Sequence, residues 1–351
     1  MVKKFISFLN FQGVIIFINN FHKKEIAFDY LLNLKNIECI YIYKNKPNYE
    51  SCPKKIILNN FLFYIFVFLS CFKKKSKKIL IFSQPIYSLP YIFFGHFLNV
   101  YFYDVHIGLN YTSKIKLFLE KFSLLFFKKI IHRDLRLWVE YKKIIKKKNR
   151  KNLLLPDFIK NNETNTSKNI SKEIKCAVIG WVDDKFVRVD KSVKILAKLG
   201  IHVYFFCPDH SFKLSILNIK SDANLMNYIH HVGYIKTDEE LKKFLKDFSI
   251  GICPHDAKEP KISDNYKFYC SSMRIIDYIE NHLTVFLSKK TFFQKFILKK
   301  YNANYFDIKL LNSFKSIYEI KKILQIKEIK HDNGIFNKQK LSIKLIKFLN
   351  Y

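Results

Sequence analysis

Two hydrophobic rhythms alternate along the first hundred residues. Val14 to Ile18, VIIFI, is a continuous apolar run; HKKEIAFDYLLNL then spaces Ile26, Tyr30, Leu31 and Leu34 at helical intervals; and Glu38 to Tyr43, ECIYIY, returns to strand character. That succession predicts a β-α-β unit. KILIFS, which leads into Gln84-Pro85, and NVYFYDV add strands, with a helical stretch between them that ends near Gly95. Strands that are apolar throughout predict a parallel sheet covered on both faces.

The rhythm breaks at residues 160–173, KNNETNTSKNISKE, a polar stretch with the composition of a linker. It then resumes. KCAVIG, IHVYFFCP, HHVGYI, SIGICP and LTVFLS read as strands. KSVKILAKLG, DEELKKFLKDF and residues 272–281 read as helices, the first closed by Gly200 and the second capped by Thr237 or Asp238 with Glu240 completing a capping box. The expected fold is α/β, two Rossmann-like domains facing a cleft. Residues 1–160 form the first, 161–173 the linker and 174–330 the second, while 331–351 holds a helix, KLSIKLIKFLNY, returning toward the N-terminal domain. Ligands of doubly wound sheets sit beyond the carboxyl ends of the strands, so the loops after Val105, Gly180, Cys207, Gly233 and Cys253 are where chemistry is expected.

A chain of 351 residues with 49% hydrophobic and 17% aromatic content can bury two cores, which excludes wholesale disorder. Lys and Arg number 62 against 29 Asp and Glu, a net charge of +33 that attracts polyanions of any class. The plainer source of that charge is the Lys, Asn, Ile, Phe and Tyr bias of an AT-rich genome. Against a lysine background, the arginines Arg133, Arg136, Arg150, Arg188 and Arg274 stand out, because a guanidinium grips a diphosphate bidentately where an ammonium cannot. The seven cysteines are scattered and never spaced as CxxC, which predicts a reduced chain without a zinc site. The N-terminus carries no signal-peptide pattern. Phe61 to Phe72, FLFYIFVFLSCF, is too short to span a bilayer and is either a buried or an interfacial helix. The block KKKSKK follows it directly, as a seat on an anionic leaflet would require.

Three pieces of the second half, AVIGWV…VDKSVKILAKLG, HHVGYIKTDEELKKFLKDFSIGICP and SSMRIIDYIENHLTVFLS, follow the order found in GT-B fold glycosyltransferases of the group 1 type. The last piece resembles the Ser-Ser-Met-Lys donor helix of xanthan-type glucuronosyltransferases, with Arg274 in place of the lysine. The resemblance implies a donor site that includes Gly180, Arg188, Lys191, Ser272, Arg274, Asp277 and Tyr278. In it Asp277 takes the place of an acid that contacts the ribose or donor sugar, and Lys191 that of a lysine near the diphosphate. Arg188 would stand in for an arginine replaced by Trp181. Tyr269 occupies the position of a second acid, and His282 that of a glycine after the helix, a turn that His tolerates better than most residues. YFYDVHIGLNY is similar to the acceptor-side strand and loop. The resemblance therefore implies that Asp104 and His106 flank the reaction, with His106 removing the acceptor proton or positioning the sugar.

Physical chemistry suits the donor helix to this task. Ser271 or Ser272 can cap it, its first turn offers unpaired N–H groups and the positive end of the dipole, and Arg274, Asp277 and Tyr278 share one face at i, i+3 and i+4. In the plainer reading Arg274 pairs with Asp277 on a solvated surface, Lys191 is one lysine among many and His106 is a packing residue. No D-x-D occurs, which favours neutralisation of the diphosphate by cations and a helix end over a metal-dependent class.

These residues lead to the expectation of a metal-independent glycosyltransferase without a cofactor. Its substrates would be a nucleotide-sugar donor and a glycan or lipid-linked acceptor of bacterial surface polysaccharide or lipopolysaccharide synthesis. Its place would be cytoplasmic, with or without peripheral contact to the anionic inner face of the cytoplasmic membrane. A sugar-nucleotide epimerase of the same fold would need an added acid pair that the sequence does not offer. A nucleic-acid-binding protein would explain the charge, but the lysines are dispersed and no aromatic RNA-binding platform accompanies them, so no nucleic-acid partner is expected.

Overall fold

In the computed structural model, the run Val14–Ile18 is strand β1, buried at all five positions. The structure describes residues 8, 11–19, 28–44, 55–73, 75–82, 85–102, 114–133, 135, 138–139, 151–156, 158–159, 173–182, 188–235, 237–254, 272–324 and 337–349. After β1 come α1 (Phe28–Asn33), β2 (Cys39–Lys44), β3 (Lys55–Leu58), α2 (Asn60–Cys71), β4 (Lys77–Phe82) and a 3-10 segment (Pro85–Phe94). β5 (Asn99–Phe102), α3 (Lys114–Leu124), β6 (Lys129–His132) and β7 (Lys151–Leu154) complete this stretch. The strands are parallel, in the order β3-β2-β1-β4-β5-β6-β7.

Alternation along each strand builds two cores. Ile15, Phe17, Leu80, Phe82 and Val100 pack under α2, the 3-10 segment and the end of α3. Ile16, Ile18, Ile79, Ile81 and Tyr101 pack on the opposite face with α1. The stretch before Gly95 is 3-10 rather than α-helical, since Pro90 lies inside it and cannot donate the helical hydrogen bond.

The second half holds β8 (Lys175–Ile179), α4 (Asp190–Lys198), β9 (His202–Phe206), α5 (Asp209–Ser215), α6 (Ala223–Met226), β10 (Ile229–His231) and α7 (Asp238–Leu245). It continues through β11 (Ile250–Cys253), α8 (Met273–Glu280), β12 (Thr284–Leu287), α9 (Phe292–Lys300), β13 (Tyr305–Asp307) and α10 (Ile317–Ile323). The parallel order is β10-β9-β8-β11-β12-β13. In both sheets the second and third strands are laid outward from the first, and the chain then crosses back to lay the fourth on its other side. That is the doubly wound Rossmann order, whose ligand crevice opens where the direction reverses. Local signals set the elements: Gly200 adopts φ 74° after α4, and the Thr237 hydroxyl accepts the Glu240 N–H at the start of α7.

The chain divides into two compact units, one of Met1–Phe158 with Gly334–Tyr351 and one of Ile159–Asn333. Helix α11 (Lys338–Leu349) lies on the first unit. Its Leu341, Leu345 and Phe348 join the core under α1, and the Ser342 hydroxyl donates to the Leu31 carbonyl at 2.6 Å. All of the anticipated linker except Glu173 falls outside the described residues.

FLFYIFVFLSCF forms α2, capped by the Asn59 side chain, which accepts the Leu62 N–H at 2.9 Å. Phe63, Phe66 and Val67 point into the core, whereas Phe61 and Phe72 are exposed. The lysines that follow are not a free basic block. Lys73 Nζ donates to the Phe8 and Phe11 carbonyls, and Lys78 is buried with its ammonium on the Lys73 carbonyl. Burial pulls the Lys78 pKa down to about 8.

Candidate functional site

The reversal in the second sheet falls between β8 and β11, where the two strands are joined only through Cys176 with Ile250 and Ala177 with Gly251. Beyond those pairs a side chain takes the place of the ladder. The Tyr278 hydroxyl, projecting from α8, accepts the Ile179 N–H at 3.3 Å and faces the carbonyls of Ala177 at 3.1 Å and Ile252 at 3.0 Å. Its ring lies on Gly251, where a Cβ would meet ring carbons at 2.7 Å. A glycine inside a strand is what allows so close an approach.

This corrects the expected face of the helix. Tyr278 is wholly buried and does not present itself to a ligand; it wedges the strands apart and fixes α8 above the crevice. Burial raises its pKa well above that of a free phenol, so it remains a hydrogen-bonding phenol.

One turn earlier on the same helix, Arg274 is carried to the strand ends. Its Nη2 donates to the Trp181 carbonyl at 2.7 Å, and Nη1 is shielded from solvent without a hydrogen-bond partner among the described residues. Gly180, at φ 75°, makes the turn beneath it, with a position for Cβ only 3.7 Å from the guanidinium. The positive φ favours glycine there. The Cys207 and Cys253 thiols, at the ends of β9 and β11, both feel this charge. Burial raises both pKa values and the guanidinium works against it, leaving Cys207 at about 12. Neither thiol forms a nucleophilic thiolate at neutral pH.

The other anticipated donor residues fare differently. Ser272 is the N-cap residue of α8 with extended backbone; its carbonyl accepts the Ile275 N–H at 3.0 Å, but its hydroxyl makes no capping bond, and Ser271 lies outside the described residues. Asp277 is half-buried on the helix, and its carbonyl accepts the Asn281 side chain at 2.8 Å. Lys191 is exposed on the first turn of α4. Arg188 does not replace the missing arginine as a free cation, since its guanidinium is held by Asp190 at 2.6 Å and Asn218 donates to the same carboxylate oxygen at 3.0 Å. The expected acceptor-side pair, Asp104 and His106, lies outside the described residues. His282 takes φ 56° after α8, the left-handed turn its position required.

Across 96% of this chain, solved structures share the architecture at low identity. HepE of Anabaena, solved with UDP-glucose, superposes with a TM-score of 0.58 at 10% identity over 97% of its own chain. The lipopolysaccharide outer core galactosyltransferase WaaB gives 0.58 at 11% over 99% of its chain. Sucrose-phosphate synthase from Thermosynechococcus elongatus gives 0.63 at 12% over 98%. The fold is GT-B. No family model matches the sequence, and no curated protein matches it. Within this GT-B chain, the residues gathered at the β8–β11 reversal are Gly180, the Trp181 carbonyl, Arg274 and the first turn of α8. Among the described residues no group of three or more His, Cys, Asp or Glu side chains could hold a metal ion.

The wedge formed by Tyr278 and Gly251 was missed in the sequence, yet it had a signal there. Gly251 interrupts the otherwise apolar strand IGIC, and the residue that fills its place comes from the next helix.

Proposed function

We propose that this chain is a glycosyltransferase that takes a sugar from a nucleoside diphosphate sugar and passes it to a glycan or lipid-linked acceptor. The observation that carries this reading is Arg274: a rare arginine, fixed at the reversal point of a Rossmann sheet, with one nitrogen anchored to the Trp181 carbonyl and Nη1 without a hydrogen-bond partner among the described residues. A guanidinium anchored at one nitrogen is preorganised, so a donor phosphate meets a cation that need not be ordered on binding. The Met273 and Arg274 N–H groups at the start of α8, which the Ser272 hydroxyl does not cap, add donors on the same side. Together they stabilise the charge that gathers on the departing nucleoside diphosphate as the glycosidic bond breaks, so no metal is needed for that step.

In this reading Lys191 neutralises the diphosphate from α4, Asp277 contacts the ribose or donor sugar, and His106 with Asp104 serves the acceptor hydroxyl. The pathway proposed is assembly of bacterial surface polysaccharide or lipopolysaccharide, on the cytoplasmic side and in peripheral contact with the membrane. HepE was solved with UDP-glucose and WaaB is named as a lipopolysaccharide galactosyltransferase, which supports a nucleotide-sugar donor and this setting.

Thermal melting with UDP and GDP tests the site. The parent is expected to be stabilised by one of them without added metal, Arg274→Ala to lose that shift, and Arg274→Lys to recover only part of it, since each charge-assisted hydrogen bond contributes about 1.5 to 3 kcal/mol. Equal shifts in all three proteins would remove Arg274 from the donor site. Stabilisation by oligonucleotides instead of nucleotides would remove the reading itself.

A further inference from the structure

Helix α2, the 3-10 segment and α3 form one layer over the first sheet, and its outer side is unusually apolar. Seven large apolar side chains among the described residues are 61% exposed or more. Phe61, Phe72, Phe93, Phe97, Ile115 and Phe118 lie on this layer; only Tyr318 lies elsewhere, in the other unit, with the Lys322 ammonium over its ring. Aromatic side chains bury roughly 150–250 Å² each, so the layer leaves several hundred Å² of apolar surface in water, at the upper end of what a monomer carries.

Ring contacts and one close backbone approach tie the three elements together. Phe72 meets Phe68 at 5.0 Å, and Phe68 meets Phe94 at 5.8 Å, which ties α2 to the 3-10 segment. Gly95 brings that segment against the Phe126 carbonyl so closely that a Cβ would stand 2.3 Å from it. From there Phe126 contacts Phe122 at 5.0 Å, and Phe122 contacts Phe118 at 6.2 Å. Glycine at position 95 thus joins two aromatic strips into one surface.

Charge identifies the occupant. Among the described residues from 55 to 133 the sole acid is Glu120, and it is buried. Lys75, Lys114, Lys116 and Lys128 are exposed at the margins. We propose that this layer docks on an anionic lipid surface, with the exposed phenylalanines entering the headgroup and acyl boundary and the marginal lysines meeting the lipid phosphates. A second copy of the chain would set lysine margin against lysine margin in a protein of net charge +33. A single-stranded nucleic acid would need a basic groove tracking its backbone, whereas the centre of this layer is apolar, with six large side chains 61% exposed or more. No helix among the described residues is long and apolar enough to cross a membrane, so the contact is interfacial.

The inference deepens the peripheral-membrane part of the proposed function and rests on it, but it moves the contact. The KKKSKK block is partly structural, and the docking face is centred on the 3-10 segment and α3.

Co-sedimentation of the full chain with vesicles of phosphatidylglycerol and phosphatidylcholine, against phosphatidylcholine alone, tests it without sugar transfer. Binding is expected to require the anionic lipid and to fall as salt rises. Phe93→Ser combined with Phe118→Ser should weaken binding at least tenfold with unchanged circular dichroism and unchanged nucleotide-dependent melting. Lys75→Gln combined with Lys114→Gln and Lys116→Gln should weaken it at low salt and flatten the salt dependence. In a Phe93→Trp variant the added emission should shift to the blue on vesicles. No sedimentation, sedimentation indifferent to the serine substitutions, or a dimer or oligonucleotide complex that those substitutions dissolve would overturn the proposal. Because nucleotide melting is read separately, lipid docking and the transfer reading can fail independently.

Discussion

His132 shows how one buried side chain couples the first unit to pH. It ends β6 with its ring wholly buried and Nε2 3.0 Å from the Asn152 side-chain oxygen. Burial pulls its pKa from 6.5 down to about 4, and the bond to Asn152 opposes only part of that pull. The folded pKa is depressed, so the unfolded chain binds more protons between about pH 6.5 and 4. The contribution to stability is therefore complete above about 6.5 and lost as pH falls through 4. Urea unfolding should show the parent losing about 2 kcal/mol more than His132→Gln between pH 7 and pH 5, at about 1.4 kcal/mol per unit. Parallel pH profiles for the two proteins would mean that His132 does not carry this coupling. The same reasoning separates Arg274 from Arg188. Both are rare arginines on the second unit, but Arg188 is held by Asp190, whereas Nη1 of Arg274 is shielded and has no hydrogen-bond partner among the described residues. A guanidinium nitrogen without a partner among the described residues, rather than an arginine as such, marks the candidate site.

The seat of α8 on the sheet is a matter of one glycine and one tyrosine. Gly251→Ala would push a methyl group against the Tyr278 ring, with carbons at 2.7 Å, and overpacking of that kind costs about 1–3 kcal/mol. Tyr278→Phe would leave the Ile179 N–H without its acceptor in a buried gap, at a cost of about 1–3 kcal/mol. Because both act through one contact, Gly251→Ala combined with Tyr278→Leu should cost less than the sum of the single changes in urea unfolding; strict additivity would mean that the ring and the glycine do not depend on each other. This contact also marks where the sequence stopped being legible. Continuous apolar strands, Gly200, Thr237 and His282 could be read because each answers to local geometry. Tyr278 could not, since helical spacing places it beside Arg274 and Asp277, and only the slot over Gly251, a strand away, turns it inward. The pairing of Arg188 with Asp190 is not legible for a related reason. Arg188 precedes α4, so helix spacing says nothing of its reach to Asp190. On α2 the pattern allowed both a buried and an interfacial helix, and the structure gives it an inward and an outward side.

Across the whole molecule, each unit has its own sheet and its own core, the second built on Val178, Val203, Ile250 and Phe286 and the first on the two faces of β1, β4 and β5. In the proposed reading ligand and proton act on different bodies: Gly180, Trp181 and Arg274, the proposed nucleotide contacts, belong to the second unit, and His132 belongs to the first. A ligand that binds only the folded state stabilises the unit it contacts by RT ln(1 + [L]/Kd), about 2.7 kcal/mol at a hundredfold excess over Kd. Hydrogen exchange resolves where that energy goes, because the slowest amides of each unit report its own opening. With saturating UDP or GDP, amides of β8, β11 and α8 should slow by roughly a hundredfold, the factor that 2.7 kcal/mol implies. Amides of β1, β4 and β5 should keep their rates. Lowering the pH toward 5 should do the reverse, raising exchange in the first sheet beyond the intrinsic pH effect while the nucleotide-dependent protection of the second persists. Equal protection of both sheets by nucleotide would mean that the units open together, and protection confined to the first would take the donor site away from Arg274 and the β8–β11 reversal.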